Sequence, residues 1–147
     1  MSLANAAETA LLELLFNNEA WANVGDASGL QPSASDGVFY ISLHTADPTE
    51  TGDQEENEIS YTGYARVAVA RTTGGWTVTG NTVENAAEVE FPQSSGGTGG
   101  DTNYFGIGTA STGPGNLILS GQNTQVITVA NGIQPRYSAG ELTVTAE

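Results

Sequence analysis

A chain of 147 residues is long enough for one domain with a sizeable core, and no Pro/Gly/Ser linker separates two comparable halves. It contains no cysteine, which excludes disulfides and thiolate metal sites and leaves packing and assembly to stabilise it. Seventeen acidic residues stand against three arginines (Arg66, Arg71, Arg136) and no lysine, a formal charge of −14. Phosphate binding needs clustered cations, so no nucleic-acid partner is expected.

Residues 2 to 16 carry a helical period, with Leu3, Ala7, Ala10, Leu11, Leu14 and Leu15 on one stripe and Asn5, Glu8, Thr9 and Glu13 opposite. Ser2 is the expected N-cap, and the Asn17-Asn18 pair suits the helix end because asparagine tolerates a left-handed backbone. The segment from Asn23 to Gly37 is rich in Gly, Ser, Ala and Asp and reads as a connector, pinned at its only large apolar groups, Trp21 and Leu30. The expected organisation is a helix over 1–18, a connector over 19–37 and a β-sandwich domain over 38–147.

From Val38 the period changes to two. Phe39, Ile41 and Leu43 alternate with Tyr40, Ser42 and His44, and after an acidic loop Ala65, Val67 and Val69 are expected inward with Tyr64 and Arg66 outward. Further strands are expected at 75–78, 87–91, 103–109, 116–120, 125–130, 133–137 and 141–145. Turn signals fall between them: Gly74-Gly75, Gly80-Asn81, the 94–101 glycine run, Gly113-Pro114-Gly115, Gly121, and Asn131-Gly132 as a type I′ hairpin. Pro135 lacks a donor, which makes Ile133 to Tyr137 an edge strand or a bulged one. Short strands at this spacing predict an all-β, antiparallel β-sandwich, jelly-roll or immunoglobulin-like, with an N-terminal amphipathic helix. The chain has no long apolar run, so neither a membrane span nor a signal peptide is expected.

Little of this carries chemistry. His44 is the only histidine, and no serine stands in a G-x-S-x-G frame, so His44 reads as a rim residue bonded to the neighbouring turn and no catalytic residue is expected. The acidic loop offers Asp47, Asp53, Glu55 and Glu56, with Glu50 and Glu58, as weak calcium candidates. Their spacing departs from a calcium-loop frame, and no metal or other cofactor is expected. Gly96-Gly97-Thr98-Gly99-Gly100 lacks a following lysine or helix, and Phe105-Gly106-Ile107-Gly108 lacks a third glycine, so neither reads as a phosphate or dinucleotide cradle.

The leucine-rich helix, Leu43-His44-Thr45-Ala46-Asp47-Pro48, the acidic insert, Tyr64-Ala65-Arg66 and the terminal Ala139-Gly140-Glu141-Leu142-Thr143-Val144-Thr145 together resemble a family of small tailed-bacteriophage virion structural proteins, loosely named tail-fibre or minor structural proteins. The resemblance implies a non-enzymatic part of the virion, assembled in the host cytoplasm, whose partners are other virion proteins. Shortness and acidity point within that class to a capsid decoration or cement protein on the major capsid protein. The alternative is a tail-associated component, such as a tail tip, fibre adaptor or receptor-contacting subunit. A carbohydrate-binding module, drawing on Trp21, Trp76 and Tyr40, is a second alternative. Self-association, as a trimer, is expected through the edge at Ile133 and Tyr137. Leu3, Leu11, Leu14 and Leu15 are expected either to close the sandwich of their own subunit or to dock on a neighbour.

Overall fold

The computed structural model describes residues 2–146. In chain order it contains α1 (Asn5–Phe16), β1 (Val38–His44), β2 (Val67–Ala70), β3 (Trp76–Thr79), β4 (Thr82–Asn85), β5 (Val89–Glu90), β6 (Gly100–Gly108), β7 (Leu117–Val129), β8 (Arg136–Tyr137) and β9 (Thr143–Thr145). The chain is thus mostly antiparallel β-structure with one N-terminal helix, the class the alternation predicts. Contacts gather the residues into two compact units. One combines the chain up to Val38 with Ala70–Glu88 and the segment from Tyr137 onward, and the other combines Phe39–Val69 with Val89–Arg136.

In the first unit α1 packs on its own chain, against β3 and β4. Its buried line is Glu8, Leu12 and Phe16, spaced by one helical turn each, rather than the predicted leucine stripe. Phe16 decides the rotation: its ring meets that of Trp76 edge to face at 4.8 Å, and both side chains are completely buried. Leu11, Leu14 and Leu15 are consequently half-buried, and Leu3 precedes the helix and stays exposed. The N-cap is Ala4 rather than Ser2, and it makes no side-chain capping hydrogen bond. At the other end Asn18 takes a left-handed φ of 55°, as expected.

Arg71 closes this helix end. Its Nε and Nη2 donate to the carbonyls of Leu15 at 2.6 Å and Leu14 at 2.8 Å, two acceptors that a helix C-terminus leaves without internal partners. The same guanidinium donates to the Asp36 carbonyl at 3.2 Å, fastening the connector. Trp21 and Leu30 pin that connector to each other, through a reciprocal pair of backbone hydrogen bonds at 2.9 Å.

The sheet of this unit has the order β3-β4-β9. β4 is a strand that sequence reading missed, because Thr82-Val83-Glu84-Asn85 offers a single apolar side chain. Gly80-Asn81 forms its hairpin with β3, Gly80 at φ 61° in the first central position as a type II′ turn requires. Asn85, 1% exposed, ties the sheet to the C-terminal segment: its Nδ2 donates to the Ala87 and Ser138 carbonyls and its Oδ1 accepts from the Leu142 N–H.

The second unit holds the four-stranded sheet β2-β1-β6-β7, with a core of Phe39, Ile41, Leu43, Phe105 and Ile107. Two predicted strands here are one. β7 runs unbroken through Gly121, which is a glycine for packing and not for turning: a Cβ there would lie 2.6 Å from the Phe105 ring opposite it. At Asn131-Gly132 only Gly132 has positive φ, at 85°, and Ile133 donates to the Ala130 carbonyl, a type II pattern instead of I′. That turn leads from β7 to β8, which lie in different sheets, so it is not a hairpin. The segment before β8 accepts hydrogen bonds at the Ile133 and Pro135 carbonyls from Ser94 and Phe91, so the absent donor of Pro135 costs nothing.

Candidate functional site

The polar groups of the second unit concentrate where the 45–66 loop folds back on β1. Arg66, predicted to point outward, is buried: its Nε and Nη2 donate to Glu58 Oε1 and Oε2, each at 2.7 Å, and its Nη1 donates to the Ala110 carbonyl at 2.9 Å. A carboxylate from the acidic loop makes that burial tolerable, because a buried cation requires a paired and hydrogen-bonded partner. The bonded carboxylate raises the Arg66 pKa further. Tyr64 donates to Glu58 Oε1 at 2.6 Å, and burial, followed by the charge of Glu58, raises its phenol above the usual range. Tyr61 and Phe91 flank the Tyr64 ring at 5.2 and 6.3 Å.

His44 is fully buried and not at a rim. Its Nδ1 lies 2.8 Å from the Glu56 carbonyl, which can only accept, so Nδ1 carries the proton and Nε2, 2.8 Å from Ser42 Oγ, accepts from that hydroxyl. Burial lowers the His44 pKa, outweighing the bond to Glu56. Space for the pair comes from Gly106 on β6, opposite Ser42, where a Cβ would lie 2.6 Å from both His44 Nε2 and Ser42 Oγ. Gly108 does the same for Gln54, a completely buried amide that accepts from the Ala110 N–H and donates to the Tyr40 carbonyl. The glycines of Phe105-Gly106-Ile107-Gly108 therefore serve side-chain packing within a strand.

The loop carboxylates are dispersed. Asp47 and Asp53 accept from the backbone N–H groups of Thr49 and Glu55, both at 2.8 Å, Glu58 is held by Arg66, and Glu55 and Glu56 are exposed. Among the described residues no three Asp, Glu or His side chains converge as a metal site would require. Two shallow depressions flank the loop. One, of about 230 Å³, is lined by Glu55, Glu58, Tyr64, Arg66, Ser111 and Thr112, and the other, of about 300 Å³, by Thr49, Glu50, Gly52 and Leu117 to Ser120.

Of the residues read as partner contacts, Leu3 and Ile133 are exposed, Leu11, Leu14 and Leu15 are half-buried on α1, and Tyr137 is only 5% exposed. The aromatic trio of the carbohydrate reading does not form one platform: Trp76 is completely buried against Phe16, and Trp21 sits in the connector. Sequence reasoning missed Gln54, the Ser42–His44 pair and the Glu58–Arg66 pair. The last had a signal, since any arginine in a lysine-free, acidic chain is surrounded by available carboxylates.

No curated protein matches the sequence. A family model described as podophage GP4 fiber I protein gp80 matches residues 2–145, nearly the whole chain, and so spans the helix, the acidic loop with its Glu58–Arg66 pair and every strand. The protein accordingly belongs to the podophage GP4 fiber I protein gp80 family, and is a structural protein of a tailed-phage virion.

Proposed function

We propose that this chain is a non-enzymatic component of the phage tail fibre, built into the particle through contacts with other virion proteins. The fibre description of the family, matched from residue 2 to residue 145, carries the reading and favours the tail over a capsid-decorating role. Geometry supports the absence of catalysis. The one serine–histidine pair is sealed in the core, and the Glu58, Tyr64 and Arg66 groups spend their hydrogen bonds on one another and on the backbone.

Labelling and counting test this reading together. Antibody against the protein should mark the tail of intact particles, at a low copy number that follows tail symmetry. Labelling spread over the head, with a count that follows the capsid lattice, would restore the decoration reading and overturn this one.

A further inference from the structure

All the charged residues of this chain lie outside one long stretch. Residues 102–135 contain no Asp, Glu, Lys, Arg or His, although the rest of the sequence carries 17 acids and three arginines. That stretch holds β7, which ends the order β2-β1-β6-β7 and has no further strand beyond it among the described residues. At 13 residues β7 is an unusually long edge, and it lacks the proline and the charged side chains by which natural edges avoid pairing. Its side chains include Val126, at 55% the most exposed large apolar residue among those described, and Ile118, at 42%. At its start the Leu117 N–H is taken by the Gly52 carbonyl. Register shifts against β6 fall between Leu117 and Leu119 and between Gln122 and Ile127, leaving Leu119 to Gln122 and Ile127 to Val129 as its regular portions.

We infer that the outer edge of β7 is the surface on which two copies of this chain join, strand against antiparallel strand. Charge selects the occupant. Two molecules of net charge −14 repel one another over most of their surfaces, and the middle of β7, between Glu50 beside its start and Asp101 bonded to Thr128 near its end, is where they can meet with the fewest opposing carboxylates. A basic partner would be drawn instead to the acidic remainder. A strand that pairs antiparallel with its own copy is also self-complementary, so one patch suffices and the contact closes about a two-fold axis. Main-chain hydrogen bonds from the straight middle would join the edges, and the flanking Ile118 and Val126 would be covered.

Sedimentation velocity on the full-length protein, over a concentration series at low and high salt, provides the test. A reversible dimer is expected, and it should tighten with salt, because screening removes the repulsion of the acidic surfaces and leaves an uncharged contact unaffected. Ile118→Glu and Val126→Glu each place two carboxylates in a symmetric interface and should weaken dimerisation about tenfold or more, with the melting temperature unchanged at concentrations where the parent protein is monomeric, because both sites are exposed. Thr77→Glu, on β3, should leave dimerisation as it was. In a chain without cysteine, Gln122→Cys should form an intermolecular disulfide on mild oxidation far more readily than Thr77→Cys. A monomer at every concentration and salt level would overturn the inference, as would a dimer indifferent to both glutamates or equal cross-linking at the two cysteines.

Discussion

The Arg66 guanidinium and the Glu58 carboxylate meet fork to fork, with two 2.7 Å hydrogen bonds and only 3% and 13% of their side chains exposed. One of three cations in the chain thus closes the acidic loop onto the strand that follows it. Because both groups are largely removed from water, each depends on the other more than either contributes alone.

Removing one partner should therefore cost much more than removing both. Glu58→Gln or Arg66→Met is expected to lower unfolding free energy by about 3–5 kcal/mol, since each leaves a buried group without its counter-charge. The double variant should lose clearly less than the sum of the two. Urea denaturation of the four proteins of the cycle measures the difference, and strict additivity would show that the pair is not coupled.

His44 makes stability depend on pH in a defined direction. Its folded pKa is depressed by burial below 6.5, with Glu58 partly opposing and Arg66 adding to the effect, so the unfolded chain takes up a proton that the folded one refuses. Stability is complete above 6.5 and falls as pH drops through the window down to the folded pKa, by at most about 1.4 kcal/mol per pH unit. His44→Gln should flatten that limb relative to the parent protein. At the alkaline end the buried Tyr64 acts with opposite sign, and stability should decline as pH rises beyond 10, where the unfolded phenol ionises first.

The helix should behave as core and not as a detachable tether. Phe16→Ala is expected to cost about 3–5 kcal/mol and Leu12→Ala about 2–5 kcal/mol, whereas Leu3→Asp should stay within about 0.5 kcal/mol. Deleting residues 1 to 18 should abolish the cooperative melting of the β3-β4-β9 region. Survival of that transition in the truncated protein, followed by amide exchange, would contradict this packing.

Gly106→Ala tests the room made for the Ser42–His44 pair. Its Cβ would stand 2.6 Å from two buried polar atoms, so overpacking should cost about 1–3 kcal/mol although the backbone there permits alanine. Gly132→Ala is the instructive contrast: nothing lies within 4 Å of its Cβ, so any loss there reflects the positive φ of 85° alone. Thermal melts of both separate crowding from backbone strain.

How much of this was legible depends on the range of the interaction. Period-two alternation identified β1 and its core residues Phe39, Ile41 and Leu43, the lone Val89 and Phe91 of the β5 segment, and the all-β class. The turn at Gly80-Asn81 was likewise visible, because local steric preference alone requires glycine there. Composition set the net charge and its acidic excess. What tertiary structure decided was the part that needs a neighbour from elsewhere in the chain. Gly121 and Gly106 look like turn or cradle residues until Phe105 and the Ser42–His44 pair are placed over them. Arg66 alternates outward until Glu58 arrives to neutralise it, and the leucine stripe of α1 fits a buried face until Trp76 draws Phe16 inward. Periodicity reports which side of an element is apolar; which polar or glycine residue is buried is settled by the partner that long-range folding delivers.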